Sequence, residues 1–424
     1  MSHLTVAPSG SHLRRNGSPF VMVADTAWSA FADAAPDEWR QYLRFRANQG
    51  FNTVLVSVLP ILHDRAVRED AREPFVLDNT GHYRFDAPNS NYFAMAEQLA
   101  MIASEEGVTL GLVVLWRNYV GSTWSNEQTP WAIMSDPDRQ NYISLVTRTF
   151  SQYDPVFIIS GDEFFVDPGT TVVYRAALEQ VKRESPSCLT TMHSVPTADL
   201  PAEIADSPAL DFYSYQAGHH IDHQDRAHAL AQLYLQKEVR RPIIDLEPCY
   251  EGHGYGSGAG RFRAHHVRNA TWWSILGGAS AGIGYGAHGI WQWYRRGAIF
   301  TSPEFSLEPF DRASALGFDG ANDVGLAGAL VRDHALFETR PRQELLLNPY
   351  PGVRAAATKD LHTIAAYLPD ARDLDLAVEL DQYRVSLWDL QHRTRLASRL
   401  AGIPGGTRLE QPGTLGDCLL IAEK

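Results

Sequence analysis

The sequence predicts an α/β fold, a (β/α)8 TIM barrel followed by a small all-β antiparallel sandwich. Three observations predict it. Eight short apolar or β-branched runs alternate with longer segments of helical periodicity before about residue 340, which is the pattern of βα units on a parallel sheet. Most of those runs are near-continuously apolar, as strands covered on both faces are. After about residue 340 the alternation stops, and strand-like runs follow one another with only turn residues between them. The length of 424 residues exceeds one ordinary core of about 100 to 200 residues but suits a barrel plus one small module.

The expected strands are residues 20–24, 53–59, 109–116, 156–160, 189–193, 212–216, 242–247 and 281–285. Pro36 suits a first helical position, with Asp37 and Glu38 in the turn where the helix dipole favours acids. Trp39, Tyr42 and Leu43 then form one face, and Gly50 supplies a stop. Residues 91–106 form the next helix, ending at Gly107. Asp136-Pro137 reads as an N-cap followed by proline, with Tyr142, Leu145, Val146 and Phe150 as the apolar stripe. Residues 170–184, 224–239 and 262–276 complete the set, while residues 198–210 hold at most a short helix. In the tail, runs at 353–357, 362–368, 374–380, 385–389, 394–400 and 418–422 are separated by turn residues such as Lys359-Asp360, Pro369-Asp370 and Gly405-Gly406. The expected domains are a barrel over residues 1–340 and a sandwich over 350–424.

Composition narrows the function. Hydrophobic content of 44% and charged content of 21% are those of a globular chain and set disorder aside. No run approaches the roughly 18 to 20 apolar residues of a membrane span. The opening MSHLTVAPSGSHLRR has no apolar core of signal-peptide type, so the expected location is the cytoplasm. Cys188, Cys249 and Cys418 have no paired spacing, which argues against a disulfide scaffold or a cysteine zinc site. The net charge of −13 argues against nucleic acid and anionic membrane as partners. Nearly all of that charge precedes residue 350, so the acidity belongs to the barrel.

In such a barrel the active site lies at the C-terminal ends of the strands. Polar and aromatic residues cluster there: Asp25, Thr26 and Trp28; His63; Trp116, Arg117 and Asn118; Asp162 and Glu163; His193; Tyr215 and Gln216; Glu247, Tyr250 and Glu251; Trp291 and Trp293. Two carboxylate clusters stand out, Gly161-Asp162-Glu163 after the fourth run and Asp245-Leu246-Glu247 in the seventh. Strands four and seven lie on roughly opposite sides of the barrel, so their carboxylates would face each other. Facing carboxyl groups, one protonated and one ionised, are what glycoside hydrolysis needs. Asp162 and Glu163 compete for one role, and Glu247 competes with Asp245 or Glu251 for the other. Strand alternation places Asp245 and Glu247 on one face.

Metal chemistry is the rival. His219, His220, His223 and His228 are clustered, but there is no His-Glu-x-x-His. Gly218 and Asp222 make a solvated loop the better reading of that group, and no metal or cofactor is expected. The glycine-rich stretch 252–260 lacks a Gly-Lys-Ser/Thr ending and reads as the loop after strand seven, able to close over a substrate. No Gly-x-Ser-x-Gly elbow of a serine hydrolase occurs.

The stretch Asn16-Gly17-Ser18-Pro19-Phe20 leading to Ala24-Asp25-Thr26-Ala27-Trp28 resembles the start of apiosidase-like glycoside hydrolases, glycoside hydrolase family 140 and its relatives. So do Arg46-Ala47-Asn48-Gln49-Gly50-Phe51-Asn52, Gly161-Asp162-Glu163 and the segment from Pro242 to Glu251. Arg268-Asn269-Ala270-Thr271-Trp272-Trp273 and Gly289-Ile290-Trp291 are similar to the family's last βα region. The resemblance runs over nearly the whole chain. It implies a TIM-barrel glycosidase with an Asp on strand four as acid/base and a Glu on strand seven as nucleophile. Those positions are Asp162 and Glu247 here. The run Ile159-Ser160-Gly161 departs from the Trp-containing run of relatives, and Glu163 follows where the wider clan has Asn-Glu. The expected substrate is a small glycoside or oligosaccharide. Asp25, Trp28, His63, Trp116, Arg117, Asn118, Glu163, His193, Tyr215, Gln216, Tyr250 and Trp291 are the expected sugar contacts, with Trp291 or Trp293 as an apolar wall.

Overall fold

The computed structural model describes residues 3–67, 71–257 and 259–424. Eight parallel strands form one sheet: β1 (Met22–Thr26), β2 (Thr53–Ser57), β3 (Thr109–Trp116), β4 (Val156–Gly161), β5 (Thr190–Thr191), β6 (Tyr213–Gln216), β7 (Ile243–Glu247) and β8 (Gly282–Tyr285). The order is 5-4-3-2-1-8-7-6, so only the seam between β5 and β6 lacks a strand ladder. Single bonds close that seam. The Asp211 N–H donates to Thr190 O (3.0 Å), the Thr191 hydroxyl donates to Phe212 O (2.8 Å), and the Ser214 hydroxyl donates to Met192 O. Threonine and serine on these two strands thus supply through side chains the pairing that the ladder leaves out.

Each strand is followed by a helix: α1 (Pro36–Asn48), α2 (Ser90–Glu105), α3 (Asp136–Phe150), α4 (Pro168–Glu184), α5 (Ala202–Ala205), α6 (Arg226–Leu235), α7 (Ala264–Gly277) and α8 (Gly320–Asp333). The one-turn α5 sits where the sequence leaves room for little more. Several boundaries differ from expectation, two of them for a visible reason. Phe20 ends a three-stranded N-terminal sheet (Leu4–Val6, Leu13–Arg15, Ser18–Phe20), and the barrel strand begins at Met22. The cap of α3 is Ser135, whose hydroxyl accepts the Asp138 N–H at 3.3 Å, so Asp136 already lies inside the helix.

The tail contains a six-stranded sheet and a three-stranded sheet, both antiparallel. Strand alternation divides its two central strands between two cores. Ala365, Tyr367, Leu419 and Ile421 join the barrel's core. Ile364, Ala366, Leu368, Cys418, Leu420 and Ala422 build a separate core inside the tail. A buried ion network crosses the junction. Arg268 on α7 meets Asp417 and Asp323 at 2.9 Å each, and Arg393 meets Asp323 at 2.7 Å. Among the described residues no helix is long and apolar enough to cross a membrane.

Candidate active site

A cavity of about 590 Å³ opens at the C-terminal ends of the barrel strands. Trp28, Trp116, Arg117, Asp162, Gln216, Glu247, Tyr250 and Trp291 line it, with His63, Asp64 and His219.

Glu247 reaches the cavity because β7 is irregular. Tyr215 pairs with Asp245 and Gln216 with Glu247, so Leu246 is an extra residue. This bulge breaks the two-residue alternation. Asp245 faces outward to α7, where Ser274 Oγ donates to it at 2.7 Å. Glu247 faces inward beside Gln216. The two acids therefore do not share a face, contrary to the regular-strand expectation. Burial lifts the pKa of Asp245 to about 7, although Ser274 Oγ and the Ala217 N–H oppose it.

The Glu247 carboxylate is held by donors. Oε1 accepts from Gln216 Nε2 and from His219 Nε2 (2.9 Å). Oε2 lies 3.2 Å from His193 Nε2, close but not aligned for a hydrogen bond. Both histidines are oriented from behind in the same way. The Asp162 N–H donates to His193 Nδ1 (3.3 Å), and the Tyr250 N–H donates to His219 Nδ1 (3.2 Å). An Nδ1 that accepts a backbone N–H leaves the ring's proton on Nε2, the nitrogen that bonds Glu247 in His219 and lies beside it in His193. Burial alone would raise the pKa of Glu247, but His193 and His219 outweigh it and hold the group well below the usual carboxylate range. Burial also disfavours a charged His193, yet Glu247 outweighs it and lifts that ring's pKa, so an N–H faces Glu247 in either charge state.

Asp162 has the opposite surroundings. It lies just past β4 with φ of 53°, a left-handed conformation that Asp tolerates better than most side chains. Two contacts hold its backbone there. Arg117 Nη1 donates to Asp162 O (2.6 Å), and the Asp162 N–H reaches His193. Gly161 before it admits no side chain, since a Cβ would come within 2.2 Å of the Trp116 ring. Asp162 Oδ1 is buried with no hydrogen-bond partner, and Oδ2 is 3.8 Å from Arg117 Nη2. Burial raises the Asp162 pKa, Arg117 opposes it, and Glu247 adds to the rise. One carboxylate oxygen each of Asp162 and Glu247 and one ring nitrogen of His193 lie within 4.8 Å of one another. Those three atoms are also spaced to hold a metal ion.

The remaining residues surround this pair. His63 Nδ1 donates to Asn118 Oδ1 (2.9 Å), and its Nε2 accepts from Arg117 (3.3 Å). Burial, then Arg117, drives its pKa to about 3, so His63 stays neutral. The Arg117 guanidinium stacks 3.8 Å over Trp124. Trp124, Phe164 and Phe305 are 40%, 36% and 43% exposed, and they give the cavity an aromatic rim.

Several expected sugar contacts lie elsewhere. Asp25 is fully buried against α1, accepting from Tyr42 (2.6 Å) and Arg46 (2.5 Å), so it anchors a helix. Tyr215 points outward, donating to Ala227 O (2.8 Å) and stacking on Tyr234. Glu163 is turned from the cavity and accepts the Phe165 N–H (2.9 Å). Asn118 and His193 are fully buried and orient other side chains. Trp293 is buried against Trp39 and Tyr42, which leaves Trp291 as the wall.

His219 is a correction in the other direction. Read as part of a solvated loop, it is buried and bonded to Glu247. Asp64 was not foreseen. It lines the cavity with Oδ1 buried and unpaired. Burial, then the charges of Asp162 and Glu247, raises its pKa to about 8, with Ser302 and Arg117 opposing. The glycine-rich loop is tied down by Gly252 N to Phe262 O (2.9 Å), Gly254 N to Ser306 O (2.8 Å) and Arg261 Nη1 to Gly252 O (2.6 Å), and it carries His253 to the cavity.

Among solved structures, the chain is similar to one described as a glycoside hydrolase, at 19% identity and TM-score 0.80, covering 100% of this chain and 97% of that one. It is similar to a glycoside hydrolase family 5 protein from Bacteroides vulgatus ATCC 8482 at 20% identity and TM-score 0.79, covering 100% and 93%. A glycoside hydrolase family 5 mannosidase from Rhizomucor miehei aligns at 13% identity and TM-score 0.53, covering 78% and 98%. These likenesses establish the fold. No curated protein sequence matches the chain. The family described as "Apiosidase-like, catalytic domain" matches residues 8–338, well over half of the chain and including both carboxylate strand ends; the chain belongs to the apiosidase-like family and is a glycosidase.

Proposed function

We propose that the protein is a retaining glycosidase that cleaves a small glycoside or oligosaccharide by double displacement, with Glu247 as nucleophile and Asp162 as acid/base. The observation that carries this is the unequal pair. Glu247 is supplied with donors and kept ionised, and Asp162, with an oxygen within 4.8 Å, is half-buried and pushed toward its protonated form. That spacing suits the roughly 5 to 5.5 Å between carboxyl groups of retaining enzymes better than the roughly 6.5 to 9.5 Å of inverting ones.

In the first step the Asp162 proton passes to the glycosidic oxygen as that oxygen leaves with the C–O electron pair. Glu247 bonds to the anomeric carbon to form a glycosyl ester. In the second step the Asp162 carboxylate takes a proton from water, the water oxygen bonds to the anomeric carbon, and the ester bond breaks. Glu247 and Asp162 return to their starting forms. Trp28, Trp116 and Trp291 supply apolar faces for the sugar ring. Gln216, His63, Arg117 and Tyr250 offer polar atoms to its hydroxyls. Asp64, protonated at neutral pH, adds a further hydrogen-bond donor. Proton NMR of the first-formed sugar tests the reaction. Retention of the substrate's anomeric configuration supports the proposal, and inversion rejects it.

The metal-compatible spacing of Asp162, His193 and Glu247 favours a second reading, a metal-dependent hydrolase. A chelator separates the two: turnover unchanged after dialysis against EDTA supports double displacement, and a loss restored by a divalent ion supports the second. We also propose a cytoplasmic location, which three free, buried cysteines support.

A further inference from the structure

The opposite end of the barrel carries a second cavity, of about 420 Å³, between α6, β7 and the start of the tail. Its charged lining is entirely basic: Lys237, Arg240, Arg241 and Arg340. In a chain of net charge −13, a concave surface with four cations and no acid in its wall is an exception. The cations are only partly compensated. Lys237 pairs with Asp199 (2.5 Å). Arg241 donates to the carbonyls of Ala205 and Ser207. Among the described residues Arg340 donates only to Thr339 O, at 2.8 Å, and Arg240 has no side-chain partner. Glu338, which is engaged by His12 (3.1 Å) and by Ser11, favours the Arg340 charge from outside the wall. Ser11 adds a hydroxyl to the wall. Arg340 is half-buried, and burial, then Arg240, disfavours its charge more than Glu338 supports it. Two guanidinium groups that repel each other across a cleft are what a bound oxyanion relieves.

We propose that this cavity is an anion site for a phosphate group, held between Arg240 and Arg340. Arg240 belongs to the barrel, between α6 and β7. Arg340 lies on the two-residue strand that pairs with Arg354–Ala357 of the tail. A phosphate gripped by both joins barrel to tail and stabilises the junction far from the catalytic carboxylates. The group can arrive as inorganic phosphate or on a sugar phosphate.

Isothermal titration and thermal melts of the full chain test the site, with inorganic phosphate in one arm, a hexose phosphate in another and chloride of equal ionic strength as control. The expected result is saturable binding of one phosphate per chain and a higher Tm than in chloride. Arg240→Ala and Arg340→Ala each weaken binding about tenfold or more, with glycosidase kcat unchanged. Arg240→Gln, at an exposed position, is the variant to use if Arg340→Ala does not fold. Preference for the hexose phosphate identifies a metabolite, and equal binding identifies free phosphate; either supports the site. No saturable binding in the wild type, or unchanged affinity in the variants, overturns it.

Discussion

The ends of β4 and β7 each present one carboxylate to the same cavity, yet chain geometry gives the two groups opposite surroundings. At β7 a bulge brings Glu247 beside Gln216 and in front of two imidazoles whose Nδ1 atoms are occupied by backbone N–H groups. At the end of β4 the left-handed backbone of Asp162 holds its side chain half-buried, with one carboxylate oxygen buried and without a partner. Burial is the largest influence on both and pushes both the same way; the histidines oppose it at both and prevail at Glu247, which they face most closely. The difference teaches that the division into acid and nucleophile is made by the neighbours rather than by the carboxylates themselves.

Removing the β7 carboxylate breaks the comparison most severely. Glu247→Gln keeps the shape and removes the nucleophile, and kcat is expected to fall by about 10⁴ or more with the circular dichroism spectrum unchanged. Asp162→Asn comes next. It is expected to lose about 10² to 10⁴ in kcat on a substrate with a poor leaving group, and much less on an activated aryl glycoside that needs no proton. Equal losses on both substrates would contradict the acid role.

His219→Ala sharpens the comparison. It deletes a donor to an ionised group, which corresponds to about 10- to 100-fold in kcat. It should also move the acid limb of the pH–rate profile upward, because the wild-type limb follows Glu247, which lies below the ordinary carboxylate range. An unmoved acid limb would mean that the histidine does not tune Glu247.

Asp64→Asn gives the smallest effect and is read in stability. The Asp64 pKa is about 8 in the fold against 3.8 as a free side chain, so the folded state binds the proton more tightly. Its contribution is full below the unfolded value and is lost as pH rises through about 8. Wild-type Tm should therefore decline across that window. Asp64→Asn should decline less and be more stable than wild type at alkaline pH by about 1 to 3 kcal/mol. Parallel Tm curves for the two proteins would remove Asp64 from the account.

Much of the barrel is legible in the sequence because buried parallel strands are apolar runs. Residues 109–116 are read to the residue, and β7 ends at Glu247 as its acid-terminated run implies. The tail follows from its turn residues, although Gly406 opens a strand, Gly406–Leu409, instead of closing a turn. Local pattern says less where tertiary contacts decide. The bulge at Leu246 leaves no mark in Ile243-Ile244-Asp245-Leu246-Glu247, so which acid faces the cavity is invisible there. Asp25 follows an apolar run just as Asp162 does, but Arg46 and Tyr42, some twenty residues on, turn it outward. His219 follows Gly218 in a polar stretch that reads as a loop; its burial depends on Glu247 and Tyr250, about thirty residues away. Its only local signal is the histidine cluster itself.

The most direct test of the central claim is mass spectrometry of the protein after incubation with a fluorinated glycoside whose glycosyl–enzyme ester hydrolyses slowly. The account predicts a mass increase of one glycosyl unit, located by peptide mapping on Glu247 and absent from Glu247→Gln. An adduct on Asp162 or Asp64 under the same conditions, with Glu247 unmodified, would contradict it.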